Sequence, residues 1–303
     1  MAAFATLALG SAPLAVTATP AFAQELVPAA YTPAPMGVQL ITATATLNDG
    51  ELSFEPTAPI EDARASIFVT SVAYARTFGL FGRSANVTIG LPFLSGHVEG
   101  LYLGEFAEAD RDGLADAAAR LGVNLIGAPS MTPVEFRDFR PGTMLGASLS
   151  LRAPTGQYDS QRLLNIGTNR WALKPELGLV QVIGDWAIDA YIGTWFYTTN
   201  GDFLGEERSR KPVIVTELHL RRAFGSRVWA SLDGNFWGGG RTTVGDVTND
   251  DRQRESRLGA TFAWKAGRSH TFRLAGSIGA VNRIGGDFTS IGIAYAYTWR
   301  GGG

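Results

Sequence analysis

GDFTSIGIAYAYTW, residues 286–299, decides the fold. Ile291, Ile293, Tyr295, Tyr297 and Trp299 fall on one face of an extended chain, and Gly292, Ala294, Ala296 and Thr298 on the other. That is the period-2 pattern of a β-strand. In water, a strand face this apolar needs a covering core. Here its bulk grows to three aromatics at one end, as in a strand whose outer face meets lipid and ends in an aromatic girdle.

Working back from this strand, about twelve segments alternate with period 2, at roughly 37–47, 66–78, 86–97, 116–126, 143–153, 171–182, 186–198, 212–223, 227–237, 254–265, 269–281 and 287–299. Their connections alternate in length. Ile183-Gly184-Asp185, Phe224-Gly225-Ser226 and Ala266-Gly267-Arg268 are tight turns, and the stretches 154–170, 199–211 and 238–253 between them are long and polar. Short turns at one end and long loops at the other are the pattern of an outer-membrane barrel, and an even strand count puts both termini at the short-turn end. One segment breaks the rule: 127–142, GAPSMTPVEFRDFRPG, is long where a short turn is expected. The fold class read from these patterns is all-β, a transmembrane antiparallel β-barrel of about twelve strands, with ten to fourteen compatible. A soluble β-sandwich also alternates. It accounts less well for strands long enough to span a membrane at a tilt and for the terminal aromatic strand.

Composition agrees. The chain has 303 residues, no cysteine, 37 glycines and only 18% charged residues. A net charge of −2 gives no basic excess to neutralise phosphates, so nucleic acid is not an expected partner. The lack of cysteine excludes disulfides and thiolate metal sites. No cofactor or metal site is expected: Asp110, Asp112 and Asp116 lack the closing Glu of a calcium loop. Residues 1–23 are Ala-, Leu- and Val-rich and end in Ala21-Phe22-Ala23, a small-x-small cleavage site. They read as a signal peptide with the mature start at Gln24. A membrane helix fits less well, because Gly10, Pro13 and Pro20 interrupt the run. No Lys or Arg precedes it, which leaves room for a start upstream of Met1. Residues 24–36, with Pro28, Pro33 and Pro35, read as a flexible lead-in. A single barrel domain then covers 37–299, and 300–303 form a short C-terminal extension.

The alternation assigns faces. In 186–197, Trp186, Ile188, Ala190, Ile192 and Phe196 face lipid, and Asp189, Tyr191, Gly193, Trp195 and Tyr197 face the lumen. Treating the other strands alike, the lumen collects Arg152, Arg170, Lys174, Glu176, Asp189, Glu217, His219, Arg221, Asp233, Glu255, Arg257 and Arg273. Both signs occur in similar numbers, so pairing across a narrow interior is expected.

Residues 153–178 carry the specific signal. They contain Pro154-Thr155-Gly156-Gln157-Tyr158-Asp159, then Leu163-Leu164-Asn165-Ile166-Gly167-Thr168-Asn169-Arg170-Trp171, then Lys174-Pro175-Glu176-Leu177-Gly178. This resembles a family of Gram-negative outer-membrane proteins named for the meta-pathway of phenol degradation and described as transporters. Further similarity covers Trp195-Phe196 with Asn200, His219, the Gly238–Gly240 run and the last strand. One departure is Gly113-Leu114-Ala115-Asp116-Ala117, where the family pattern has Gly-Leu-Gly-Asp-Pro. The resemblance implies an outer-membrane barrel linked to aromatic catabolism.

The loop between the fifth and sixth strands is rich in amides and guanidinium groups: Gln157, Gln161, Arg162, Asn165, Asn169 and Arg170. It is expected to fold inward and hydrogen-bond to lumen carboxylates such as Asp189, Glu217 or Asp233. Such a loop acts as a constriction, as a latch, or as both. The candidate pathway residues are Tyr158, Asp159, Arg162, Asn165, Asn169, Arg170, Lys174, Glu176, Asp189, Glu217, His219, Arg221 and Asp233. Catalysis is not expected. Only His97, His219 and His270 occur, no Gly-x-Ser-x-Gly is present, and Glu217 and Arg221 flank His219 as a neutralising network would. The expected function is passive or gated passage of small molecules, hydrophobic or aromatic ones among them. A plugged barrel with a structural or envelope role is the alternative. Expected partners are outer-membrane lipid and lipopolysaccharide, the barrel-assembly machinery through the C-terminal strand, and a small-molecule solute.

Overall fold

The computed structural model describes residues 26–53, 60–102, 104–281 and 285–300. The expected signal segment and residues 301–303 lie outside the described residues. In chain order the elements are β1 (Val38–Ser53), β2 (Ile60–Leu80), β3 (Arg83–Tyr102), β4 (Glu105–Leu114), β5 (Ala118–Ile126), α1 (Pro133–Asp138), β6 (Thr143–Arg152), β7 (Ala172–Ile183), β8 (Trp186–Tyr197), β9 (Asn200–Phe203), β10 (Glu206–Arg210), β11 (Val213–Phe224), β12 (Val228–Gly239), β13 (Thr242–Val244), β14 (Val247–Thr248), β15 (Gln253–Ala266), β16 (His270–Val281) and β17 (Gly285–Arg300).

The main sheet is antiparallel and closed. Neighbours in sequence pair around the wall, β17 returns to β1 from Val38↔Arg300 to Ser53↔Gly285, and β2 pairs with β3. β4 and β5 share one wall position. β3 pairs with β4 along its outer half, from Phe93↔Leu114, and with β5 along its inner half, up to Gly90↔Ala118. The wall thus has twelve positions, one for each segment expected from the alternation. The fourth is broken at 115–117, where Asp116 turns inward.

Three strands are longer than their alternation suggests. β1, β2 and β3 run 16, 21 and 20 residues. Their extra length lies at the long-loop end, and their outward face changes character there. Leu47, Phe68 and Phe93 are exposed apolar residues, whereas farther out the same face carries Asp49, Arg64, His97 and Glu99. Arg64 approaches Asp49 at 3.8 Å. The lipid layer ends at that change, and beyond it the hairpins stand in water.

The opposite, short-turn end carries an aromatic row. Trp264 opposes Phe272 in register with ring centroids 5.7 Å apart, and Phe272 opposes Tyr295 at 5.2 Å. Tyr297 stacks on Trp299, and Trp299 meets Tyr74 of β2 at 6.3 Å. Cross-strand aromatic pairs of this kind stabilise a sheet beyond their area, and here they form the inner girdle of a membrane barrel. The C-terminal strand therefore presents the face expected of it. No helix among the described residues is long and apolar enough to cross a membrane.

Two of the long connections are themselves ordered. β9–β10 and β13–β14 are hairpins, and Arg208↔Val244 through Arg210↔Thr242 join them into a four-stranded sheet. At the other end, the long 127–142 connection holds α1. Pro133 starts it and Thr132 caps it. The Thr132 hydroxyl accepts from Glu135 N–H at 3.3 Å, and Glu135 Oε2 accepts from Thr132 N–H at 2.7 Å. The Thr132 N–H and the Thr132 hydroxyl, which donates to the same oxygen at 2.8 Å, hold the exposed Glu135 carboxyl below the usual carboxylate range.

The face assignment can be tested on β11. Leu218, 59% exposed at mid-strand, faces lipid, and Phe224 ends the same face at the inner girdle. Leu218→Arg is expected to destabilise the barrel by about 2–4 kcal/mol and Phe224→Arg by about 0–1 kcal/mol. Denaturant unfolding in lipid vesicles measures both, and equal costs would contradict the membrane depth assigned here.

Candidate functional site

Polar side chains converge at mid-lumen on β7, β8, β11 and β12. The inward alternation puts Asp189 of β8 beside Arg221 of β11, which grips it with two bonds, Nε–Oδ2 at 2.6 Å and Nη2–Oδ1 at 2.9 Å. His219 lies between two carboxylates, Nδ1 at 2.8 Å from Asp233 and Nε2 at 3.2 Å from Glu217. Thr261 of β15 donates to the second oxygen of Asp233 at 2.7 Å. Lys174 donates to Glu176 at 2.6 Å, and Arg120 of β5 reaches the same carboxylate at 3.8 Å. Asp189 and His219 are fully buried. Buried charges persist only when paired and hydrogen-bonded, and this network meets that condition.

The remaining donors come from the chain's own start. Residues 24–36, expected as a flexible lead-in, are described from residue 26, and residues 26–36 run inside the barrel as a strap. Val27 N–H donates to Glu217 Oε2 at 3.1 Å, Ala29 N–H to Asp189 Oδ2 at 3.0 Å, and Ala30 N–H to the Tyr191 hydroxyl at 3.1 Å. Tyr31 donates to Glu176 Oε1 at 3.0 Å and lies 3.0 Å from Ser148 Oγ, under the Arg120 guanidinium. Its ring occupies a slot formed by Gly146 of β6 and Gly178 of β7, which are register partners; a Cβ on either would collide with the ring. Prolines in the strap remove donors that could not all be satisfied at this depth, and Pro28 is fully buried. The lead-in is therefore held rather than loose. The physical reason is that lumen carboxylates left over from side-chain pairing need its backbone N–H groups.

The 153–171 loop folds inward as expected, but its anchors differ from those expected. Asp116, buried at the break between β4 and β5, accepts from Gly156 N–H at 3.0 Å, Thr168 N–H at 3.0 Å and the Thr168 hydroxyl at 2.5 Å. Gly156 and Gly167 cross at backbone contact, which leaves no room for side chains. Asn165 staples the turn by accepting from Asp159 N–H at 2.8 Å and donating to Arg162 O at 2.7 Å. Arg162 pairs with Asp159 of its own loop at 2.9 Å. Tyr158 donates to Asp202 O at 2.7 Å, and both Tyr158 and Asn169 meet Asn200 of β9 at 2.8 Å. Asp189, Glu217 and Asp233, the anchors expected from sequence, are instead occupied by Arg221, His219, Thr261 and the strap. Adjacent inward residues satisfy one another first, being about 5 Å apart.

Beneath the loop the lumen has two unlike walls. On the β6–β8 side, Arg152 lies 4.3 Å from the Trp195 ring centroid, and Arg170 and Arg210 lie 4.9 and 5.0 Å from that of Tyr197. Burial, and then the charges of Arg210 and Arg208, push the Arg170 guanidinium down to about 10. On the β2–β3–β17 side the inward residues are apolar. Ile67, Val69, Leu94 and Phe288 form a buried cluster, and Ile166 of the loop closes over it. Sequence reading missed this wall, because inward apolar residues on β2 and β3 resemble a strand buried on both faces. It also missed the partners Tyr31 and Arg120, and it placed Tyr191 in the lumen without a role in the network; the signal present for Tyr31 was the facing glycine pair, Gly146 and Gly178.

Of the thirteen expected pathway residues, Lys174, Glu176, Asp189, Glu217, His219, Arg221 and Asp233 form the mid-lumen network. Arg170 belongs to the outer basic wall, and Tyr158, Asp159, Arg162, Asn165 and Asn169 belong to the folded loop.

The comparisons with known proteins agree with this architecture. An outer membrane channel from Pseudomonas putida F1 superposes with a TM-score of 0.77 at 19% identity, over 91% of this chain and 100% of that one. The beta domain of a Bordetella autotransporter gives 0.52 at 13% identity, over 86% and 100%. The transport unit of an Escherichia coli autotransporter gives 0.53 at 10% identity, over 86% and 90%. At these identities the likeness is one of fold. No curated protein sequence matches the chain. The family model described as "Putative MetA-pathway of phenol degradation" matches residues 53–293. With its lipid-facing wall and aromatic girdle, this outer-membrane β-barrel belongs to that family.

Proposed function

We propose that the protein is an outer-membrane channel for passive or gated passage of small molecules, hydrophobic and aromatic ones among them. The strap is its gate and the 153–171 loop its outer constriction. The observation that carries this reading is the way the strap is held. At mid-lumen three main-chain N–H groups and one tyrosine fix it to the wall, at its inner end the Thr77 hydroxyl donates to Pro35 O at 2.6 Å and Met36 N–H to Met131 O at 2.8 Å, and among the described residues it joins no strand pair. A segment bound this way opens the lumen when it leaves, and the wall stays closed. The apolar cluster under Ile166, opposite the arginine and aromatic wall, supports solutes with an apolar body. β17 would be the strand read by the assembly machinery, and the charged outer hairpins would lie among lipopolysaccharide headgroups.

The same strap favours a second reading, a plugged barrel with a structural or envelope role. Single-channel recording separates the two. The refolded mature chain is expected to show low, intermittent conductance, and the variant lacking residues 24–36 a steady conductance several-fold larger that phenol reduces. Silence from both would establish the plugged barrel; equal conductance would show that the strap is not the gate.

The loop gives a second test. Asp116→Ala removes three hydrogen bonds to a carboxylate, each of about 1.5–3 kcal/mol. Trypsin is expected to cut after the exposed Arg162 at least about tenfold faster in this variant, with an altered ion preference. Unchanged cleavage would mean that Asp116 does not anchor the loop.

A further inference from the structure

Between the strap, α1 and the inner ends of β7, β8, β11, β12 and β15 lies a cavity of about 390 Å³. The passage reading above makes no use of it, and it is where the unexpectedly long 127–142 connection goes. α1 has one inward side. Phe136 and Phe139, three residues apart and stacked at 6.2 Å, are half-buried toward the cavity, and Val134, Glu135, Arg137 and Asp138 are exposed. Pro33 of the strap, Val182 and Trp229 complete the apolar wall. A cavity of about 150 Å³ accepts benzene, so this one has room for a single ring with a polar group.

The charged lining is predominantly cationic. Arg140, Arg227 and Lys265 line the cavity, against a single carboxylate, Asp185. Arg221 also lines it, but its charge is taken by Asp189. Arg222 leans on the Trp186 and Phe224 rings. Trp229 is 5% exposed, and its indole N–H has no hydrogen-bond partner among the described residues. A buried, unspent donor costs about 1–3 kcal/mol, and beside an apolar wall and three cations it suits a carboxylate or phenolate oxygen.

We infer that this inner vestibule is a binding site for small aromatic anions, a ring against Phe136 and Phe139 with its charged group toward Trp229, Arg227 and Lys265. The inference deepens the channel reading by naming a solute class for its exit side, and it rests on that reading only for the route by which the solute arrives.

Fluorine NMR of 4-fluorobenzoate and its neutral counterpart 4-fluorobenzyl alcohol tests it, using the mature chain in lipid nanodiscs with empty nanodiscs as background. Benzoate is expected to bind at least about tenfold more tightly than the alcohol, a difference of about 1.4 kcal/mol. Arg227→Gln with Lys265→Gln should erase that preference and leave the alcohol unchanged. Phe136→Ser with Phe139→Ser should weaken both. These residues lie on or just past α1, in the β11–β12 turn and near the inner end of β15, and heat-shifted migration in SDS gels confirms that each variant is folded. Equal affinity for the two probes, or benzoate binding unmoved by both double variants, overturns the site. A silent wild-type channel that still binds benzoate removes the passage reading and supports the site; conductance without benzoate binding removes the site alone.

Discussion

The mid-lumen network of this barrel depends on one constraint: carboxylates taken from water into a narrow lumen need hydrogen-bond donors. Asp189 takes two bonds from Arg221, and Asp233 takes His219 and Thr261. Glu217 and Glu176 are left with open lone pairs, and Asp189 accepts a third bond. The strap supplies what is missing through Val27, Ala29 and Tyr31. Remove the carboxylates and the strap loses three of its mid-lumen anchors; remove the strap and Asp189, Glu217 and Glu176 each lose a donor. Strap and lumen charge are one structural unit.

The wall was largely legible in the sequence because lipid imposes a strict rule. Leu218, Leu220, Ile291 and Ile293 face lipid and can be nothing but apolar, so period-2 alternation survives in every spanning segment. The inner face obeys a looser rule. Asp189 and Ile67 both point inward, one into a charge network and the other into an apolar cluster, and alternation cannot tell such environments apart. The outer ends of β1–β3, at 48–53, 60–65 and 98–102, were not recovered because their outward face becomes charged above the lipid, where the alternation changes meaning.

The motif around 153–178 was recognisable before its purpose was. Its glycines have separate physical causes far apart in space. Gly156 and Gly167 let two backbone segments cross above Asp116, and Gly178 opens half of the slot for Tyr31. One short pattern thus records two contacts, one with a break in the wall and one with the strap. The anchors were misassigned for the same reason. Side-chain chemistry in a loop announces that it will hydrogen-bond, but the partner is set by register, and register puts Asp116 and Asn200 within reach.

Both ends of the wall meet at one place. Val38 and Arg300 are register partners at the inner rim, and the strap continues from β1 there without joining any strand pair. The chain therefore forms a thread laid into a finished cylinder, not a knot tied through it. Closure of β17 on β1 and seating of the strap are topologically independent events. The cylinder can be sealed first and threaded afterwards from the short-turn end, and it can be unthreaded without breaking the ladder that keeps its backbone out of contact with lipid.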